Sequence, residues 1–171
     1  YQPRDLVSGD FFWYSHRGGV LLLAAVDCTG HGVPGAFMSV MGNSLLNQLV
    51  NEKGMTEPAD ILASLNEAVQ RNLHQMEEES TSLDGMEIGL VALEPQFGSM
   101  LFAGANIWCW IVRQGKLHEL VPTKAPVGGK QTAVRAYRQQ EWELQPGDTV
   151  YLFTDGIPDQ FGGDQGRKFG Y

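Results

Sequence analysis

Cysteine is scarce in this chain: Cys28 and Cys109 are the only two. They supply no disulfide framework, and neither has the Cys or His neighbours of a zinc site, so a reducing, cytoplasmic setting is expected. Cations are also few. Twelve Lys and Arg stand against twenty Asp and Glu, a formal charge of −8, which argues against a nucleic-acid partner and suits metal ions or basic partners better. No apolar run exceeds Val20–Val26, far short of the roughly 20 residues that cross a bilayer, and no charged-then-apolar start of signal type is present. A phosphate-cradling P-loop is missing as well: Gly30-His31-Gly32-Val33-Pro34-Gly35 lacks the Gly-Lys-Ser/Thr ending. No Ser/His/Asp or Cys/His arrangement is visible, which ranks side-chain nucleophilic catalysis low. The chain opens on Tyr1 and stops at Phe169-Gly170-Tyr171, so it is expected to be a piece of something longer, comprising one domain over residues 1–171.

What is present is 43% apolar residues, enough for a core. Ser8–Ser15 and Val20–Asp27 read as two strands split by Arg17-Gly18-Gly19, a hairpin signal. From Pro34 to about Asn51, Ala36, Phe37, Val40, Met41, Leu45, Leu46 and Leu49 recur at helical steps. A second helix opens at Thr56-Glu57-Pro58, with a stripe of Ile61, Leu62, Leu65, Ala68, Val69 and Leu73, and ends in the solvated acidic run Glu77–Ser80. Six strands are then predicted: Met86–Leu93, Met100–Ala103, Ile107–Arg113, Lys116–Val121, Val134–Leu144 and Thr149–Thr154. The segment Pro122–Lys130 reads as a surface loop. The pattern predicts an α+β domain, an antiparallel sheet with both helices on one face.

Three acidic residues sit at strand edges rather than on a polar helix face: Asp10 among aromatics, Asp27 ending Ala25-Val26, and Asp155 ending Leu152-Phe153-Thr154. Singly, each reads as a turn-former or cap. Together they suggest a divalent cation, because clustered carboxylates repel one another and a hard cation held by oxygen relieves that. Asp159, four residues past Asp155, would add a weaker ligand if a helix begins there, or serve only as a helix-terminus charge. His31 reads as an exposed loop histidine or, less favoured, a general acid.

Four stretches carry a family resemblance: Pro3–Trp13 with its Ser8-Gly9-Asp10-Phe11, Val26–Ala36, Phe102-Ala103-Gly104-Ala105-Asn106, and Thr154-Asp155-Gly156-Ile157. In this order they resemble the metal-dependent PPM (protein phosphatase 2C-like) Ser/Thr phosphatases, in their bacterial SpoIIE-type branch. The resemblance implies an antiparallel β-sandwich flanked by helices on both faces, α-β-β-α. It also implies two Mn²⁺ or Mg²⁺ ions, in some cases a third, at one end. Asp27 would bridge both metals, Asp10 and the Cys28 carbonyl would bind one, and Asp155 the other. Arg4, six residues ahead of Asp10, reads either as a solvated surface arginine or as a fork for the substrate's phosphoryl oxygens. The implied reaction is attack on a phosphoserine or phosphothreonine by a metal-activated water, with no covalent intermediate.

Two departures from the family pattern matter. The final strand's Asp-Asp-x-Thr is missing, which fits a domain expected to be C-terminally incomplete. His31 follows Asp27 by four residues rather than two, which weakens its claim to proton transfer. The expected function is a protein Ser/Thr phosphatase acting on a phosphorylated regulatory protein of STAS (anti-sigma-antagonist) type. Its expected setting is an upstream sensor or linker, a homodimer, and the cytoplasm, including the case of a cytosolic output domain on a membrane-anchored sensor. A catalytically weak pseudophosphatase serving as a signalling module is the alternative. A metal phosphoesterase for small molecules would differ in having a deep pocket.

Overall fold

The computed structural model describes residues 7–77, 82–94, 96, 98–129, 136–156, 159–162 and 166–168. A tight hairpin opens it, β1 (Phe11–Arg17) and β2 (Val20–Cys28), paired from Phe11↔Val26 to Arg17↔Val20. Gly18 and Gly19 make the turn at φ of 59° and 87°, a region that glycine enters without a Cβ penalty. Helix α1 (Gly32–Asn47) follows and runs into one π-helical turn, Gln48–Glu52. Helix α2 (Pro58–Asn72) has its proline at the helix start, where the missing N–H costs nothing.

The remaining strands are β3 (Gly85–Glu94), β4 (Ser99–Ala105), β5 (Cys109–Arg113), β6 (Lys116–Leu120), β7 (Val127–Gly128), β8 (Gln139–Glu143), β9 (Thr149–Leu152), β10 (Phe161–Gly162) and β11 (Arg167–Lys168). They form two main sheets rather than the single sheet that the strand pattern alone suggested. The larger has the order β1-β2-β3-β4-β8 with β7 on β3; the smaller is β6-β5-β9; β10 and β11 pair with each other. Strand periodicity says which residues share a face, not where the chain leaves one sheet for another.

Alternation along the large sheet divides the core in two. Leu22, Ala24, Val26, Ile88, Leu90 and Ala103 turn toward α1 and α2, meeting Leu46, Ile61, Leu62, Leu65 and Val69. Val91, Met100 and Phe102 turn the other way onto Cys109, Ile111 and Leu120 of the small sheet. Each fully buried aliphatic side chain is worth roughly 1.5–3 kcal/mol. The result is an α+β sandwich. Among the described residues its helices lie on the outer face of the large sheet; the second helical layer of the α-β-β-α arrangement has no counterpart there.

Several strand bounds shift: the strand predicted over Ser8–Ser15 is β1, Phe11–Arg17, and the one predicted from Ile107 is β5, from Cys109. The strand predicted from Val134 is β8, from Gln139, and the one predicted to reach Thr154 stops at Leu152. The predicted surface loop is corrected more substantially. Pro122, Ala125 and Val127–Gly129 are buried, and β7 pairs with Gly85 and Met86. Two buried amides of α2 hold the segment: Asn66 Oδ1 accepts from the Gly128 N–H at 2.8 Å, and Gln70 Nε2 donates to the Gly129 carbonyl at 3.0 Å. A polar residue inside a helix stripe gave no hint of these partners.

The two sheets are tied at the far end by Arg113 of β5. Its Nε and Nη2 donate to the two oxygens of Asp148 at 2.8 and 2.6 Å, and Nη2 also donates to the Glu143 carbonyl of β8 at 2.6 Å. The guanidinium lies 4.9 Å from the Trp142 ring centre. The Arg113 fork first, then the Gln145 N–H and the Trp142 indole, holds the Asp148 carboxyl well below the usual range. A lowered folded-state value means stabilisation that is present above the unfolded value, near pH 4, and lost as acid protonates the folded carboxylate. Asp148→Asn is therefore expected to lower the melting temperature at pH 7, and the gap to the native chain should close on acidification. A gap independent of pH in thermal melts would refute this.

Candidate functional site

The strand register builds the site. Asp27 and Glu87 are partners in the β2–β3 ladder. Phe11 pairs with Val26, so Asp10, just ahead of β1, falls beside Asp27. On the other side Ile88 pairs with Ala105, which brings Asn106 beside Glu87. Asp10, Asp27, Glu87 and Asn106 thus form one row across the ends of four neighbouring strands. Asp155 arrives from the small sheet, three residues past β9.

These residues open onto a cleft of about 490 Å³ lined by Asp10, Asp27, Cys28, Thr29, Gly30, His31, Glu87 and Asp155. Of the residues singled out in the sequence, Asp10, Asp27, Cys28, Asp155 and His31 are brought together. Asp159 is not among the lining residues; its N–H donates to the Asp155 carbonyl at 2.8 Å and its carboxylate pairs with Lys168 at 2.7 Å. Arg4 lies outside the described residues. Glu87 was missed by the sequence reading. Its signal was a single charged residue inside the apolar run Met86–Leu93, which becomes meaningful only with the register.

Short contacts hold the cleft. Thr154 Oγ1 donates to Asp10 Oδ2 at 2.9 Å, and the Asp10 N–H donates to Ser8 Oγ at 3.1 Å. Thr29 is fixed on β3 from both sides: its N–H donates to the Gly85 carbonyl at 2.9 Å and its Oγ1 accepts from the Gly85 N–H at 3.1 Å. Asn106 Nδ2 donates to Glu87 Oε1 at 2.8 Å. Gly9 is pressed against the Cys28–Gly30 turn so closely that a Cβ there would lie 2.8 Å from the Cys28 carbonyl oxygen.

Burial, then Asp10 by its charge and a hydrogen bond, then the charges of Asp155 and Glu87, raise the Asp27 carboxyl from 3.8 to about 7. Asp155 is also raised, by burial first and then by Asp159 and Asp10, with Lys168 opposing. Burial, reinforced by Asp27 and Asp10, pushes the Cys28 thiol up to about 12, and burial alone does the same for Cys109. Neither sulfur is a nucleophile at neutral pH.

The donor set suits a hard divalent cation in kind: four carboxylates, Asp10, Asp27, Glu87 and Asp155, line the cleft, and burial together with the neighbouring carboxylates lifts Asp27. Among the described residues, no three acidic, His or Cys side chains converge closely enough to ligate an ion as they stand.

A sequence model described as Stage II sporulation protein E (SpoIIE) matches residues 17–170. The chain belongs to the SpoIIE family. The SiaA-PP2C domain of Pseudomonas aeruginosa is similar at 34% identity and a TM-score of 0.84, over 99% of this chain and 64% of that one. The chain thus spans just under two thirds of that relative. The PP2C phosphatase domain of SpoIIE from Bacillus subtilis shares the fold at 20% identity and a TM-score of 0.70, over 91% of this chain and 44% of that one. RsbX, solved in complex with magnesium, shares it at 14% identity and a TM-score of 0.66, over 90% and 69%. No curated protein matches the chain. Membership of this family places the chain among domains with the PP2C-type Ser/Thr phosphatase fold. No helix of the described residues is long and apolar enough to cross a membrane.

Proposed function

We propose that this SpoIIE-family domain is a metal-dependent protein serine/threonine phosphatase. The observation that carries the reading is that Asp10, Asp27 and Asp155, from three separate stretches of chain, line one open cleft. Asp27 would hold two Mn²⁺ or Mg²⁺ ions, with Asp10 and the Cys28 carbonyl on one and Asp155 on the other; the magnesium in RsbX favours that class of ion. Bound, such ions supply Lewis acidity that makes water nucleophilic and draws charge from a phosphoryl group. The chain's own residues position charge. Thr154 holds Asp10, Asp27 stays half-buried between Asp10 and Glu87, and Gly9 sets the Cys28 carbonyl. Arg4 is the residue proposed to bind the phosphoryl oxygens of the substrate.

The open cleft suits a phosphorylated side chain on a protein surface better than a small molecule, and a STAS-type regulatory protein is the proposed substrate. Family relatives include SiaA and SpoIIE, the latter solved with part of its regulatory domain. Control by an upstream sensor or by a second copy is proposed to act through α1, which leaves the Asp27 loop directly. Its Val33, Phe37 and Val40 are 64%, 72% and 68% exposed, a face open to a partner, while Met38 is buried in the core. Cytoplasmic placement belongs to the same proposal.

The test is hydrolysis of p-nitrophenyl phosphate by the full-length protein with Mn²⁺ and with EDTA. Turnover that requires Mn²⁺ is expected. Metal binding without turnover on this ester or on a phosphoserine protein would favour the pseudophosphatase reading instead.

A further inference from the structure

Asn106 has an unusual backbone. It is one of three non-glycine residues in the left-handed region among the described residues, at φ 64°, a conformation that asparagine tolerates better than most residues but that still costs free energy. The turn holding it there is tightly specified: the Asn106 N–H donates to the Thr123 carbonyl at 3.0 Å, the Thr123 N–H donates to the Gly104 carbonyl at 2.8 Å, and Ala105 bridges to Thr123. The side chain so placed spends its amide on one atom, Oε1 of Glu87, at 2.8 Å. A neutral amide donor fixes a carboxylate without neutralising it, which a lysine or arginine at this place would do.

Glu87 itself is costly where it stands. It faces Asp27 directly across the β2–β3 ladder, and like charges opposite one another weaken a sheet. Oε1 accepts from Asn106, and Glu87 itself lines the cleft together with Asp10, Asp27 and Asp155. We infer that Glu87 is a fourth cation-holding carboxylate of this cleft and that Asn106 is the positioning residue that aims it. The inference rests on the proposed metal-dependent function, and adds to the three aspartates a residue from a different strand.

Isothermal titration of Mn²⁺ into the full-length protein tests it, with native, Glu87→Gln, Asn106→Gly and the double variant, and with Asp27→Asn as comparator. Asn106→Gly keeps the left-handed turn and deletes only the amide. Glu87→Gln is expected to weaken Mn²⁺ binding about 10- to 100-fold, and Asn106→Gly about 10-fold, as loss of outer-sphere support does elsewhere. The double variant should be no weaker than Glu87→Gln alone, since the amide acts only through that carboxylate. Native-like affinity in Glu87→Gln alongside loss in Asp27→Asn would overturn this inference and leave the phosphatase reading standing. Additive losses in the double variant would overturn the role of Asn106. Absence of Mn²⁺ binding in the native protein would overturn both readings at once.

Discussion

Asp27→Asn is expected to lose metal-dependent turnover while making the metal-free protein more stable. Asp27 is proposed to hold both ions, so its loss should exceed the roughly 10²–10³-fold cost of deleting one hydrogen-bond donor at a reacting centre, and more than about 10³-fold is expected. The stability change has its own sign. In the folded chain the Asp27 carboxyl is raised from 3.8 to about 7, so between those values the folded state keeps a proton that the unfolded state has released. Native stability without metal therefore falls as pH rises from about 4 to about 7, and levels off above. Asparagine carries no charge to penalise and removes that slope. Because Asp27 is only half-buried, solvent screening reduces the effect to about 1–2 kcal/mol. Saturating Mn²⁺ should reverse the order, since only the native chain gains from binding. Thermal melts at pH 5 and 8, with and without Mn²⁺, check this; a variant less stable than native at pH 8 without metal would contradict it.

Gly35→Ala is the second large effect. Gly35 sits in the first turn of α1, where an added Cβ would lie 2.6 Å from the Gly30 carbonyl oxygen, 3.0 Å from the Gly30 carbonyl carbon and 3.3 Å from the Gly9 Cα. All three are backbone atoms, so no flexible side chain can yield. The helix must move away from the Cys28–Gly30 turn or the turn must move toward the cleft. Overpacking of this kind costs about 1–3 kcal/mol, and the upper end is expected here. For a chain of this size that lowers the melting temperature by about 6–12 °C. Mn²⁺ affinity should fall with it, because Gly9 and Gly30 bracket the Cys28 carbonyl. Gly162→Ala, with nothing within 4 Å of the added carbon, is the control and should melt like the native chain. Equal melting temperatures for Gly35→Ala and Gly162→Ala would contradict the account.

Much of the fold was legible locally. The 3.6-residue stripes marked α1 and α2, and Arg17-Gly18-Gly19 marked the first hairpin, because periodicity and turn chemistry are properties of neighbouring residues. The division into two sheets was not visible in the strand pattern and came only with the family resemblance. The segment around Val127 was misread because Asn66 and Gln70, which bind it, are distant in sequence and ordinary in type. At the cleft the same contrast holds. Asp10, Asp27 and Asp155 stood out as acids ending apolar runs. Glu87 and Thr154 did not, because their meaning depends on which strand lies opposite and which carboxylate a hydroxyl reaches.

The most direct measurement is phosphate release from a phosphoserine-bearing STAS-type protein by the full-length chain, titrated with Mn²⁺ and compared with Asp27→Asn. The account predicts complete release that rises with Mn²⁺ occupancy, stops with EDTA and is lost in the variant. Release that persists in Asp27→Asn, or that proceeds equally in EDTA, would contradict it.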